Sequence, residues 1–467
     1  MRIEQLYTNC LAEAAYYIES DGEVAIIDPL RETAPYIAMA NEANAKIKYI
    51  FETHFHADFV SGHVDLAAKT GATIVFGPNA KPNYEAHIGQ DNEEFKIGKL
   101  TIKLLHTPGH TMESSCFLLQ DENGDEKAIF SGDTLFIGDV GRPDLAVKSN
   151  LTVYDLAGHL FDSLRNRVMP LADDIIVYPG HGAGSSCGKN MSDETFDTLG
   201  NQKESNYALR TDMTRDEFIK EVTDGLKTPP QYFPKNVKMN IMGYENFDDV
   251  MEKGNKALDL AEFQSLISEG ALILDTRNRE VFPKGFIPNS LFIGLDGSFA
   301  PWVGSLIKDI KQTIIFLTDE GKEEEVVRRL SRVGYDNTRG YLAGGVQTWL
   351  DAGLSLDQIE EITPEAFTSK FTEETPTIDV RKDTEFYSKH LLGKVENLPL
   401  SKIAERSNEV DNNVQHYVHC AGGFRSLIAI SILKQKGINN LVNIQGGFKA
   451  LEETTIPVSN YVCPSEI

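Results

Sequence analysis

Over its first half the chain alternates short apolar, β-branched runs with polar turn residues. Glu23-Val24-Ala25-Ile26-Ile27-Asp28, Ile47-Lys48-Tyr49-Ile50-Phe51, Leu100 to Leu105, Ser115 to Leu119 and Ile175-Ile176-Val177-Tyr178 are such runs. Their length and composition predict strands. Val64 to Thr70 and Tyr154 to Leu164 lie between them with helical spacing. Several of the predicted strands run into loops bearing His or Asp, which predicts sheets with a site along one edge. Thr228 to Gly254 is richer in Pro and Asn and poor in periodic apolar positions, and reads as a connection.

The second half repeats itself with a period of about 100 residues. Ala271-Leu272-Ile273-Leu274-Asp275-Thr276-Arg277 returns as Pro376-Thr377-Ile378-Asp379-Val380-Arg381. Gln312 to Leu317 returns as Val414 to His419, and Leu342-Ala343-Gly344-Gly345-Val346 as Ile444-Gln445-Gly446-Gly447-Phe448. Strand, Asp-x-Arg, crossover, buried strand, helix and Gly-Gly turn follow one another in each copy, the alternation of a doubly wound parallel sheet. The expected organisation is a β-rich domain over 1–245 with a connecting segment over 226–254, then related α/β domains over 255–356 and 357–467. The fold class is α/β and α+β, multidomain.

Composition narrows the function. With 45 Lys plus Arg against 70 Asp plus Glu, the formal net charge is −25. A surface this acidic repels polyanions, so neither nucleic acid nor an anionic membrane is an expected partner. No apolar stretch is long enough to span a bilayer, and the N-terminus lacks the pattern of a signal peptide. Five scattered cysteines, Cys10, Cys116, Cys187, Cys420 and Cys463, do not form a disulfide framework. A cytoplasmic, reducing setting is expected.

Thr53-His54-Phe55-His56-Ala57-Asp58-Phe59 follows an apolar run. In an extended segment His54, His56 and Asp58 would share one face. Thr107-Pro108-Gly109-His110, Ser131-Gly132-Asp133-Thr134 and Tyr178-Pro179-Gly180-His181 each put one imidazole or carboxylate after a strand, in a turn that glycine permits. Side chains so placed on several strands can converge on one metal ion.

This constellation resembles the metallo-β-lactamase superfamily, whose fold is an αββα sandwich. The H-x-H-x-D string, with Leu135 to Asp144, is most similar to the persulfide dioxygenase branch, near glyoxalase II. The resemblance implies one Fe(II) per chain, with Zn as a substitute, held by His54, His110 and Asp133. Two histidines and a carboxylate with open positions form the facial triad of non-haem iron oxygenases. Dinuclear hydrolases of the superfamily carry His directly after the Asp, where this chain has Phe59, so one metal is expected and His63 begins the next helix. His56, Asp58 and His181 then orient the ligands and the substrate by hydrogen bonds. Arg142 and Asp144 are expected to hold the site loop or a carboxylate of the thiol carrier. Cys187 is expected near the pocket, as an accessory thiol.

A second site is written in Tyr417-Val418-His419-Cys420-Ala421-Gly422-Gly423-Phe424-Arg425-Ser426. A cysteine between a buried strand and a helix start meets several backbone N–H groups and the positive end of the helix dipole, which favour thiolate. Arg425 can add a full charge. The loop resembles that of rhodanese sulfurtransferases, implying Cys420 and Arg425 as the catalytic pair. The middle copy is also similar to rhodanese, but its loop reads Thr318-Asp319-Glu320-Gly321-Lys322-Glu323, without cysteine, and is expected to be silent.

The domain order resembles persulfide dioxygenase–sulfurtransferase fusions. That resemblance implies a low-molecular-weight thiol persulfide and dioxygen as substrates, sulfite or thiosulfate as products, and a homo-oligomeric assembly. The alternative is a zinc thioester hydrolase of glyoxalase II type with regulatory rhodanese modules.

Overall fold

A computed structural model describes residues 1–145, 151–226 and 228–463. They form two compact units, 1–250 with 328–336, and 251–327 with 337–467.

The first unit is built on two six-stranded sheets. One runs in chain order: Arg2–Thr8, Glu13–Ser20, Glu23–Ile27, Lys46–Phe51, Thr73–Phe76 and His87–Ile88. The other runs Asp197–Thr198, Ile176–Pro179, Glu126–Gly132, Ser115–Gln120, Leu100–His106 and Glu94–Ile97. Because strand side chains alternate between faces, Glu13–Ser20 serves two cores at once. Ala14, Tyr16 and Ile18 pack between the sheets with Phe51, Ile102, Leu104, Phe117 and Phe130. Ala15 and Tyr17 pack outward with Tyr36 and Leu66 of helices Ala34–Glu42 and His63–Thr70. Helix Val153–Ser163 covers the other sheet, with Leu160 against Leu118 and Ile129. Strands buried on both faces read as continuous apolar runs, which is why they stood out in the sequence. The layers are the expected αββα sandwich.

The stretch read as a connection is structured. It forms helices Phe233–Met242 and Phe247–Gly254. Its first helix turns Phe233, Val237 and Ile241 inward, and buried Asn236 and Asn240 interrupt that apolar side. The Asn240 amide donates to the carbonyls of His56 (2.8 Å) and Phe59 (2.9 Å) and accepts from Ser61 N (3.0 Å). A polar side chain from 180 residues away thereby fixes the turn that carries the histidine motif. Arg31, fully buried, is a second such tie. Its guanidinium donates to the carbonyls of Ser331 (3.0 Å) and Glu245 (2.7 Å) and pairs with Asp336.

The second unit holds two five-stranded, all-parallel sheets. Ala257–Leu258, Thr338–Leu342, Ile314–Leu317, Leu272–Asp275 and Leu291–Phe292 make the first. Glu360–Ile362, Leu441–Ile444, His416–His419, Thr377–Asp379 and Val395–Asn397 make the second, in the same topological order. The Asp-x-Arg motif does the same work in both. The Arg277 guanidinium donates to buried Asp275 (2.9 and 2.6 Å) and the Gly285 carbonyl (2.8 Å). Arg381 binds Asp379 (2.9 and 2.6 Å) and the Lys389 carbonyl (2.8 Å). Each pair ties the end of the central strand to the crossover that follows. Among the described residues no helix is long and apolar enough to cross a membrane.

Replacing Asn240 by Ala strips three buried backbone groups of their partner. Urea unfolding followed by circular dichroism should report a loss of about 2–4 kcal/mol in the first unit. An unchanged midpoint would show that Asn240 does not hold the turn.

Candidate metal centre and sulfur-binding loop

Residues 53–59 leave strand Lys46–Phe51 and turn back on themselves instead of extending it. His54 and His56 nonetheless stay neighbours, and His56, Asp58 and His181 offer ligand atoms within 4.8 Å of one another. The His54 and His56 rings lie 4.3 Å apart, yet they serve different partners. His54 joins His110 and Asp133, each delivered by its own loop, and the three ligand atoms lie within 4.8 Å of one another. Asp133 Oδ2 is 3.4 Å from His110 Nε2 and 3.9 Å from His54 Nε2. The other ring nitrogens are engaged: His110 Nδ1 by the Arg142 carbonyl (2.8 Å), His54 Nδ1 by the Thr53 hydroxyl (3.0 Å). That leaves both Nε2 atoms facing the carboxylate. Burial, then the neighbouring imidazoles His56, His110 and His181, hold His54 well below the usual histidine range, so it is the neutral ring that a metal requires.

Asp133 is buried and neither carboxylate oxygen has a hydrogen-bond partner among the described residues. An unpaired buried carboxylate is costly, and a cation seated among His54, His110 and Asp133 removes that cost. The donor set fits a divalent metal ion.

His56 turns the other way, its Nε2 3.0 Å from Asp28 Oδ1 and 3.6 Å from Glu52 Oε2. Burial pulls its pKa down, but Asp28, Glu52 and Asp58 overcome this and raise it to about 10. Asp28, at a positive φ of 48°, also accepts from Thr53 N and Oγ1, both at 2.8 Å. This His–Asp–Glu cluster braces the loop beneath the triad. Asp28 and Glu52 went unnoticed in the sequence, although a carboxylate closing an apolar strand run was the signal for both. His63 begins its helix as expected and sits on Tyr84 OH (2.6 Å), outside every metal-binding group. Phe59 is buried, its ring 4.4 Å from that of His56.

A second convergence lies beside the first. His181 Nε2 is 3.4 Å from Asp58 Oδ2 and 3.6 Å from the other oxygen of Asp133, while its Nδ1 meets the Ala12 carbonyl at 3.1 Å. Burial raises the pKa of Asp58. Burial lowers His181, but Asp58 and Asp133 leave it above the usual range. Cys187 shares this group with Asp133 and His181, and burial followed by Asp58 and Asp133 pushes its thiol well up.

Arg142 pins the loop over the site. Its guanidinium is bidentate to Asp144 (both 2.7 Å) and reaches the Ser186 carbonyl at 3.3 Å. Its backbone N–H donates to the Cys187 carbonyl (3.0 Å), so one residue binds both His110 and Cys187. Asp139, unassigned in the sequence, is the hub of this loop: it accepts from Val140 N, Lys189 N, Asn190 N and Tyr207 OH.

The cysteine loop lies in the second unit. Cys420 is buried at the end of strand His416–His419, and its Sγ accepts from Gly423 N at 3.1 Å, with Ser426 Oγ at 3.7 Å. The Gly-Gly turn exists for this loop. Phe448 N donates to the Cys420 carbonyl (2.6 Å) and Lys449 N to that of Ala421 (3.0 Å). Gly447, at φ 61°, approaches so closely that a Cβ there would lie 2.4 Å from the Cys420 oxygen. Arg425 does not stand free beside the sulfur: Glu385 holds it in a bidentate pair at 2.7 and 2.8 Å.

Residues 8–181 match the metallo-beta-lactamase superfamily, and 259–352 and 363–454 each match the rhodanese-like domain. A Staphylococcus aureus structure described as a metallo-beta-lactamase is 32% identical with a TM-score of 0.65, over 73% of this chain and 98% of that one. The hydroxyacylglutathione hydrolase GloC of Haemophilus influenzae is 29% identical over 38% of this chain and 89% of its own length. The human mitochondrial persulfide dioxygenase ETHE1 is also 29% identical, over 34% of this chain and 59% of its own length. These two relatives, one a hydrolase and one a dioxygenase, stand at equal identity, so residue chemistry has to separate them.

After dialysis against a chelator, His54→Ala should retain no bound metal. His56→Ala, which leaves the triad whole, should lose affinity by about 10–100-fold. Equal losses in the two variants, read by elemental analysis, would place His56 among the ligands.

Proposed function

We propose that this chain, which belongs to the metallo-beta-lactamase superfamily and carries two rhodanese-like domains behind that fold, oxidises a low-molecular-weight persulfide with dioxygen and moves sulfane sulfur through Cys420. The observation that carries this reading is the pairing on one chain of a two-histidine, one-carboxylate cluster with a cysteine cradled by backbone N–H groups. Fe(II) held by His54, His110 and Asp133 would supply open positions for a sulfur anion and dioxygen, and the redox capacity for their reaction.

The chain's own residues prepare that chemistry. The Arg142 carbonyl and Thr53 hydroxyl hold the two imidazoles in ligating orientation. Asp58 and His181, beside the second oxygen of Asp133, are placed to hold a proton next to the reacting sulfur. Cys187, in the same group, is the accessory thiol of the site. In the overall reaction R–S–SH, dioxygen and water give R–SH, sulfite and two protons, with sulfur oxidised and dioxygen reduced.

At the second site the Cys420 thiolate attacks the outer sulfur of R–S–SH. The S–S bond breaks, R–S⁻ leaves and takes a proton, and a persulfide remains on Cys420. Sulfite then attacks the outer sulfur of that persulfide, releasing thiosulfate and regenerating the thiolate. The Gly423 N–H stabilises the anionic sulfur in both states. Cys10, Cys116, Cys187 and Cys420 are thiols, which suits the reducing, cytoplasmic setting proposed here.

One observation favours a second reading. Asp58, His181 and Asp133 also converge, and a dinuclear zinc thioester hydrolase would use them for its second ion. Phe59 weighs against it, because a phenyl ring cannot ligate. One iron per chain supports the dioxygenase, and two zinc per chain the hydrolase.

Iron-loaded protein given a low-molecular-weight persulfide should consume oxygen and release sulfite or thiosulfate. His54→Ala should abolish oxygen uptake and keep sulfurtransferase activity, and Cys420→Ser should do the reverse. A folded, iron-loaded sample that consumes no oxygen with any of several persulfides would overturn the dioxygenase.

A further inference from the structure

We propose that Arg279, on the module without a cysteine, is a positioning residue for Cys420 and acts through the peptide joining Gly422 to Gly423. The inference rests on the reading of Cys420 as the sulfur-carrying nucleophile and deepens it.

The Gly422 carbonyl and the Gly423 N–H are the two ends of one planar amide. At the oxygen end, Arg279 Nη1 donates to Gly422 O at 3.3 Å. At the nitrogen end, Gly423 N donates to Cys420 Sγ at 3.1 Å. A cation on the oxygen draws charge along the amide and makes the N–H a stronger donor, so the chain of bonds favours a sulfur anion over a thiol. The orientation of the amide is set by Gly423, whose φ of 85° only glycine adopts readily.

Arg279 has the free charge for this task. It is exposed, and Gly422 O is its one protein partner among the described residues. Asp319 and Asp296, on its own module, are engaged by Asn278. The other charges around the loop are cancelled in pairs, Arg425 by Glu385 and Arg381 by Asp379. His419 lies behind the sulfur, 3.8 Å from Asp379, and burial holds it below the usual histidine range.

The contact is backed by a firm seam. Helix Phe424–Gln435, which starts at the cysteine loop, is gripped by the silent module along its length. Phe292 N donates to buried Ser431 Oγ (3.1 Å), and Gln435 Nε2 to the Asn289 carbonyl (2.8 Å). The Phe292 and Phe424 rings lie 5.8 Å apart, and a Cβ on Gly294 would lie 3.3 Å from the Phe424 ring. The silent copy keeps its place because the active loop is completed from it.

The test is the rate of Cys420 alkylation by iodoacetamide in the full chain, read by mass spectrometry of the Cys420 peptide from neutral to alkaline pH. Arg279→Met should slow alkylation at neutral pH by about three- to tenfold. The curves should merge at alkaline pH, where the thiol is ionised in both proteins. Arg279→Lys, which keeps the cation, should recover part of the loss. A methionine profile superimposed on that of the native chain would overturn the proposal. If Arg279→Met also lowers the melting temperature, the lysine variant decides: a profile moving back toward the native one upholds the proposal, and one matching methionine overturns it. The reading of Cys420 fails separately, if Cys420→Ser retains sulfurtransferase activity.

Discussion

A carboxylate withdrawn from water and given no partner costs several kcal/mol, and Asp133 is in that position, walled in by three imidazoles. Much of the first unit follows from that constraint. The two sheets bring His54, His110, Asp133 and His181 to one edge from four separate loops. These loops are fixed by groups outside the triad: Asn240 under the histidine turn, Arg142 over His110 and Cys187, Asp139 behind the loop that follows Asp133.

The same economy of partners governs the sulfur site, with backbone amides in place of imidazoles. A thiolate needs donors, and the loop supplies them by curling through Gly422 and Gly423. The carbonyls that this curl exposes must also be satisfied. The Gly446–Gly447 turn does this for Cys420 and Ala421, and Arg279 does it for Gly422. The two rhodanese-like copies share topology, Asp-x-Arg brace and Gly-Gly turn, so the frame does not depend on the cysteine that only one of them carries. What the silent copy retains is the surface that closes on its partner's loop.

The fold was largely legible in the chain, because short apolar, β-branched runs between turn signals depend on local sequence alone. The repeat was legible for the same reason. So was the chemistry of each loop, since His54, His110, Asp133 and Cys420 each follow an apolar strand in a turn where function concentrates. Residues 228–254 were less so, because buried Asn236 and Asn240 interrupt the apolar side of helix Phe233–Met242. Asp28, Glu52 and Asp139 escaped for a related reason: a carboxylate at the end of a strand reads as solvated until its partners are known.

Sequence by itself determined which residue types were available and at which strand ends they stood. Only the tertiary structure decided how they were divided. It set His54 beside Asp133 and His56, two residues on, beside Asp28, although the two rings stay 4.3 Å apart. It gave Arg425 to Glu385 and left Arg279, some 140 residues earlier, to serve the cysteine. Pairing of charges is settled by distance in space, and spacing along the chain carries no information about partners that far apart.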